Sequence, residues 1–392
     1  MKMRLAVVSD LHCHPQRPTE NSSHLLSNGP RVPAHNHPVE ALVDLIQLKS
    51  LRADYLVAPG DFTDKADIHG YVVGVQVARE IAQLLGSRRV VGTVGNHDID
   101  SRGLNGDDPF YLGTHVFRDF PIADIAQRSR FFDPRFGYAL FDEGDIRFLI
   151  INSVVSHRTK EEAKRGSFTP TQLENLVRDT QSLHRLPIQV CVFHHHPIPH
   201  EDMDLGPEDL MVGGEQLLGY LEASGYLLAI HGHKHHPRFR YAASGGSNGI
   251  PVFSAGSFAA LITGKLVRSL RNTFHLLEIE VAADPKSYPR GKIWSWELST
   301  AGGWIETSVK QSGFPHVTGF GCRSDPRHLA AMIQATLQSE RYVSWEDLEH
   351  LSVDFAYLSP ADRRRVAEIV VTSGVVCDDV QDPMYFSRPK QK

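Results

Sequence analysis

Along the first third of the chain, short apolar runs alternate with longer stretches whose apolar residues recur at helical spacing. Met3–Val8 (MRLAVV) predicts a buried strand that ends at Ser9-Asp10. Val39–Leu48 (VEALVDLIQL) predicts a helix, and Tyr55–Ala58 a second strand stopped by Pro59-Gly60. A second helix follows over His69–Leu85, and a third strand over Arg89–Val94, ending at Gly95. Residues 15–38 are rich in Pro, Asn, Ser and His without any period, which predicts a long loop. Short apolar strands separated by amphipathic helices predict an α/β layered fold with parallel pairing.

Gly137–Leu140 and Ile146–Asn152 flank the turn signal Glu143-Gly144 and predict a hairpin. Thr169-Pro170-Thr171-Gln172 reads as a helix start, with Thr as N-cap, Pro first and Gln third. Strands follow at Ile188–Phe193, Tyr226–Ile230 and Pro251–Ala255, then a β pair at Phe274–Val281 and Lys292–Leu298. From about Pro315 the pattern becomes helical: Asp325–Leu337, Ser344–Leu351 and Pro360–Thr372, with cap signals Asp325, Ser344 and Ser359. Two domains are therefore expected, residues 1–308 and a helical accessory domain of residues 309–392. There is no internal repeat.

Composition narrows the function classes. With 41 basic and 46 acidic residues the formal charge is −5, which excludes nucleic-acid binding by bulk positive charge but leaves room for a local basic groove. Hydrophobic residues at 41% and charged residues at 22% describe a globular chain rather than a disordered one. Four cysteines, Cys13, Cys191, Cys322 and Cys377, form no CxxC pair and fit a reducing, intracellular setting. The apolar run at the start is too short for a signal-peptide core. The longest later candidate, Tyr71–Leu85, is broken by Gln76, Arg79 and Glu80. The expectation is a cytoplasmic protein with no membrane partner. The 22 histidines are the unusual feature.

Position relative to strand ends gives those histidines a meaning, because sites in open α/β sheets form beyond the carboxyl ends of strands. Five predicted ends carry metal-capable residues: Asp10-Leu11-His12, Gly60-Asp61-Phe62-Thr63-Asp64, Gly95-Asn96-His97-Asp98, His194-His195-His196-Pro197 and His231-Gly232-His233-Lys234-His235. Each alone has an ordinary reading as a cap, a turn or a solvated histidine run. All five at one end of the sheet point to a metal site.

These blocks resemble the motifs of the calcineurin-like metallophosphoesterase family: D-x-H, G-D-x-x-D, G-N-H-D/E, a His before Pro or Gly, and G-H-x-H. All five are complete and in order, over roughly residues 3–300. The resemblance implies a four-layer α/β/β/α sandwich with a small helical C-terminal extension. Carried over position by position, it implies one metal held by Asp10, His12, Asp61 and His235. A second would be held by Asp61, Asn96, His195 and His233, with Asp61 as the bridging carboxylate. The donors suit two divalent or trivalent transition-metal ions, Mn, Fe or Zn. Such a pair implies phosphoester hydrolysis by a metal-bridging hydroxide. His97 is expected to protonate the leaving oxygen and Asp98 to orient its ring, while Asp64 bonds a ligand or nearby backbone. In the triple histidine, the family spacing of two residues before Pro selects His195; a one-residue slip of register would overturn that choice. Cys13, His14, His200 and His236 read as ordinary residues beside the site. Arg31, His35 and His37 read equally as substrate contacts or as a solvated loop.

Within the family, the chain reads Asp64-Lys65-Ala66 where Ser/Thr protein phosphatases carry Arg-Gly, and Gly-Asn-His-Asp rather than Gly-Asn-His-Glu. His-His-Pro and the stretch Gly166–Leu173 look more like the bacterial cyclic-nucleotide phosphodiesterase branch. A small phosphoester is thus the expected substrate, with diesters favoured over monoesters. A DNA nuclease is the rival within the class, and nucleic acid is the less favoured partner given the −5 charge. A non-catalytic metal-binding scaffold acting through the C-terminal helices is the rival outside it, though such relatives would be expected to have lost ligands. Asp362-Arg363-Arg364-Arg365 places either a basic patch or a solvated face on the last helix. The C-terminal segment as a whole, about residues 310–392, reads as a dimerisation cap, a partner-binding module or a lid over the site, and homo-oligomerisation is the expectation.

Overall fold

Strands buried on both faces must be covered on both, and here a second sheet covers one face and helices the other. The structure, a computed structural model, describes residues 1–16, 22–29, 31, 37–100, 108–159, 162, 165–199, 209–242, 249–262, 270–282, 289–299 and 301–389. In chain order its elements begin with β1 (Lys2–Val7), α1 (Pro38–Lys49), β2 (Tyr55–Ala58), α2 (Ile68–Leu84), β3 (Val90–Gly92) and α3 (Ile125–Phe131). They continue with β4 (Tyr138–Glu143), β5 (Ile146–Ile151), α4 (Pro170–Thr180), β6 (Ile188–Val192), α5 (Gly214–Ala223), β7 (Leu228–His231), β8 (Arg238–Ala242) and β9 (Ile250–Ser254). Next come β10 (Thr273–Glu280), β11 (Arg290–Leu298), β12 (Trp304–Glu306), α6 (Val309–Ser312) and β13 (Val317–Phe320). The chain closes with α7 (Pro326–Ser339), β14 (Tyr342–Ser344), α8 (Trp345–Leu351), α9 (Pro360–Thr372), β15 (Val376–Cys377) and β16 (Tyr385–Ser387).

Two mixed sheets carry the α/β part. One has the order β12-β11-β10-β1-β2-β3, with β13 paired to β11; the other has the order β4-β5-β6-β7-β9-β8. Strands β1, β2 and β3 run parallel, as do β5, β6, β7 and β9, so their carboxyl ends gather on one side of each sheet. The sheets face one another: Tyr55 of β2 meets Phe148 of β5 at 5.0 Å, and Thr93 Oγ1 donates to Ile151 O at 2.7 Å. Leu176 of α4 and Leu217, Leu218 and Leu221 of α5 close the outer face of the second sheet over Leu149, Cys191 and Phe193. The capping box expected at Thr169 forms, with Gln172 returning the bond to the cap. This is the α/β sandwich of sheets flanked by helices. The apolar pattern does not predict helices α3, α5 and α6 or strands β8, β12 and β13.

The chain divides into two compact units, Arg4–Leu276 with Trp296–Ile305, and Met1–Met3 with Leu277–Ser295 and Glu306–Lys392. In the second, caps at Asp325, Ser344 and Ser359 each bond a backbone N–H of the helix they start. Leu329, Ile333, Trp345, Leu348, Val366, Val370 and Phe386 form its core. A three-stranded sheet β14-β16-β15 completes the unit; strands of two or three residues carry no readable period. The run Asp362–Arg365 does not make a continuous basic patch. Arg363 turns inward over the Trp345 ring at 4.0 Å and donates to Pro383 O, while Arg365 pairs with Glu368. Among the described residues no helix is long and apolar enough to cross a membrane.

One core histidine makes stability sensitive to pH. His275 on β10 is fully buried beside Phe253, its Nε2 2.9 Å from Thr273 Oγ1, and burial pushes its pKa down to about 3. The unfolded chain binds that proton near pH 6.5, so between about pH 6.5 and 3 the unfolded state holds more protons and stability falls as pH falls. Replacing His275 by Gln should flatten the urea midpoint against pH over this window, by up to about 1.4 kcal/mol per pH unit. An unchanged slope would remove His275 from the explanation.

Candidate metal centre

Five loops converge beyond the carboxyl ends of β1, β2, β3, β6 and β7. They hold side chains in backbone conformations that ordinary residues avoid. Asp10, His12, Asp61, His233 and His235 all have φ between 49° and 80°, in the left-handed region. Each such residue costs about 1–3 kcal/mol and persists where the surroundings over-determine it, commonly at functional sites. Close packing between loops enforces the geometry. A Cβ on Gly95 would lie 2.2 Å from Asp61 Oδ1, so only glycine lets the β3 loop reach the β2 loop.

Among the described residues the metal-capable atoms form three groups: Asp10, His12 and His235; Asp61, His194 and His233; and His12, Asp64 and His97, and the Asp61 carboxylate links the first two. In the first, His12 Nε2 lies 3.1 Å from His235 Nε2 and 3.9 Å from Asp10 Oδ1, with His235 Nε2 3.4 Å from the same oxygen. In the second, His194 Nε2 lies 3.1 Å from Asn96 Oδ1 and His233 Nδ1 3.0 Å from it. Asp61 Oδ2 joins them, 3.5 Å from His12 Nε2 and 3.2 Å from His194 Nε2. Its other oxygen accepts the His97 backbone N–H at 2.8 Å. Two imidazole lone pairs 3.1 Å apart need a proton or a cation between them, and the donor set of carboxylate, imidazole and amide suits a transition metal. The residues present therefore fit two metal ions.

Electrostatics favour the same state. Burial alone raises the Asp10 and Asp61 carboxyls, but the imidazoles facing them, His235 and His194 foremost, hold both below the ordinary range. Burial drives His12 down to about 3, helped by the neighbouring His97, and drives His233 well below its usual value. These rings are neutral and offer lone pairs. Burial would lower His194 as well, yet Asp61 raises it to about 9; a cation entering that pair displaces the proton.

Two expectations change at this point. The triple histidine groups His194, rather than the expected His195, with Asp61 and His233 at ligand spacing. On β6, Cys191 and Phe193 face the core under α4 and α5. The period of two therefore turns His194 the other way, where its Nδ1 meets Pro59 O at 2.8 Å. His195 has Nδ1 2.9 Å from Ser153 Oγ and its ring pressed against Gly166, where a Cβ would lie 2.5 Å away, while its ring centroid lies 4.3 Å from that of His233. That contact uses the Gly166 of the stretch singled out in the sequence. Second, Asp98 does not orient His97. Its carboxylate accepts the backbone N–H groups of Asp61, Thr63 and Gly95, tying two ligand loops together, and burial with the Asp61 charge raises it to about 7. Asp64 takes the orienting place, its Oδ1 2.8 Å from His97 Nδ1.

The floor of the site is closed and its mouth is open: Asp10, Asp61 and His194 are buried, whereas His97 and His235 keep about a quarter of their side chains exposed. His97 and His235 flank His12 at ring distances of 4.6 and 5.0 Å. His14 bonds the backbone of ligand residue His12, its Nδ1 3.3 Å from His12 O. The Cys13 thiol is buried and pushed up to about 12, His236 is buried, and Arg31 pairs with Glu40 and Glu80. His35 and His200 lie outside the described residues.

A family profile described as calcineurin-like phosphoesterase matches residues 3–237, and one described as wHTH-Calcineurin_assc matches residues 318–369. No curated protein matches the chain. Among solved structures, a predicted phosphoesterase from Streptococcus pneumoniae is 11% identical, covering 78% of this chain and 94% of its own at a TM-score of 0.29. Vps29 complexed with zinc from Entamoeba histolytica is 13% identical, covering 76% and 94% at 0.32. A metallophosphoesterase from Sphaerobacter thermophilus is 12% identical, covering 70% and 83% at 0.28.

Proposed function

The chain belongs to the calcineurin-like phosphoesterase family, and from this premise we propose that it hydrolyses a small phosphodiester with two metal ions, His97 acting as general acid. The observation that carries the reading is the shared oxygen, Asp61 Oδ2, which faces His12 of one ligand group and His194 of the other. When bound, two such cations supply Lewis acidity at the phosphoryl group and activate the attacking water. Asp10, His12, Asp61 and His235 would hold one cation, and Asp61, Asn96, His194 and His233 the other.

The chain's own residues do the rest. Asp64 fixes the His97 ring through Nδ1, which leaves Nε2 to carry the proton for the leaving oxygen. The exposed edge of His97 lies at the mouth, where a leaving group departs to solvent. A small substrate is favoured over a nucleic acid, because no continuous basic track accompanies the site in the sequence and Arg363 is turned into its own core.

The test is a phosphoester panel on the Mn-loaded full chain: bis-p-nitrophenyl phosphate, p-nitrophenyl phosphate, cyclic nucleotides and single-stranded DNA. Diester hydrolysis should exceed monoester hydrolysis, and His97→Ala should lower kcat by about 10²–10³-fold without changing metal content. A monoester preference would overturn the phosphodiesterase reading. Inactivity on every substrate would favour the scaffold.

A further inference from the structure

The long loop after the first motif returns to the site as a short strap. His14 pairs with Leu26, and Ser23 pairs with Ala260. Ser23 is buried, its hydroxyl reaching Leu11 O at 2.6 Å and Ala259 O at 3.0 Å, and His24 N donates to Ala259 O. The strap is thus anchored both to the Asp10–His12 loop and to residues 259–261. Just before the anchor stands Ser22, whose backbone O accepts Leu261 N at 2.8 Å and whose backbone N–H donates to His14 Nε2 at 3.2 Å. His14 Nδ1 lies 3.3 Å from His12 O, which only accepts, so the proton sits on Nδ1 and Nε2 receives the Ser22 N–H.

Held in this way, Ser22 Oγ donates to Asp64 Oδ2 at 2.9 Å, while Asp64 Oδ1 faces His97 Nδ1 at 2.8 Å. A carboxylate bound through one oxygen turns about its last torsion; bound through both, it presents a fixed lone pair. Among the described residues the other charged group near Oδ2 is the half-exposed Lys65 ammonium at 3.8 Å, a poor restraint.

We propose that Ser22 is a positioning residue for the acid step: the strap delivers its hydroxyl to Asp64 Oδ2, and this fixes Asp64 Oδ1 on His97 Nδ1. The inference rests on the reading of His97 as general acid. Its chemistry is a single proton transfer, from His97 Nε2 to the oxygen that leaves phosphorus, with Asp64 balancing the charge on the ring. A poor leaving group needs that proton and a good one does not, so the hydroxyl matters in proportion to leaving-group basicity.

The experiment compares wild type, Ser22→Ala, Ser22→Thr and His97→Ala, as full-length Mn-loaded protein, on a p-nitrophenyl diester and the matching phenyl diester. Ser22→Ala should lose about tenfold in kcat on the phenyl ester and under about twofold on the p-nitrophenyl ester, a fraction of the full acid contribution. Ser22→Thr should restore both. In the metal-free protein, the downfield Nδ1 proton resonance of His97 should broaden in Ser22→Ala and return in Ser22→Thr. Equal losses on the two esters, or an unmoved resonance, would overturn the proposal. If His97→Ala shows no leaving-group dependence, the acid reading falls and takes this one with it. If His97→Ala shows it and Ser22→Ala does not, only the strap's role is lost.

Discussion

Asp61→Asn is expected to leave the protein folded with fewer than two metal ions per chain and to reduce phosphoester hydrolysis more severely than any change outside the ligand set. Asparagine keeps the shape and can still accept the His97 N–H now received by Asp61 Oδ1 at 2.8 Å. What it lacks is the second anionic oxygen, which lies within 3.5 Å of both His12 and His194. A neutral amide does not neutralise two cations at once, so both ligand groups weaken together. Loss of an outer partner of a ligand already costs roughly 10–100-fold, and loss of the shared ligand should exceed that. Metal content by mass spectrometry, measured beside the rate and the melting temperature, checks the claim. Two metals retained with activity within tenfold of wild type would show that Asp61 does not bridge.

The second large effect separates adjacent histidines. His194→Ala should remove the metal of the Asn96–His233 group and cut activity by more than about 10²-fold, on the same reasoning about ligand loss. His195→Ala should keep both metals. Both rings are fully buried, so either truncation leaves a cavity and unpaired partners that destabilise by about 1–3 kcal/mol; melting temperature therefore does not discriminate, and metal stoichiometry does. If His195→Ala loses the metal while His194→Ala retains it, His195 and not His194 is the ligand.

Much of the fold was legible because it is written locally. Caps at Asp325, Ser344 and Ser359 depend on a side chain two or three residues from the N–H it binds, and all three form. The strands around the site read as apolar runs because both faces of each sheet are covered. Helix α5 is not legible because a glycine, Gly219, interrupts its leucine pattern. The sheet β14-β16-β15 is not legible because its strands are too short to show alternation.

The sequence by itself determined which residue types stand beyond which strands. The metal-capable side chains recur at fixed short distances after apolar runs, and that spacing is a local property. Only the tertiary structure decided which of two neighbours does each task. His194 faces Asp61 and Asn96 because Cys191 and Phe193 are claimed by the core on the other side of β6. Asp64 rather than Asp98 meets His97 because Asp98 is already committed to backbone N–H groups of the β2 and β3 loops. Ser22 reaches Asp64, 42 residues along the chain, only because the strap is pinned to residues 259–261. Direction of a side chain is set by strand pairing and by left-handed backbone at the loops, and both arise from contacts between segments far apart in the chain.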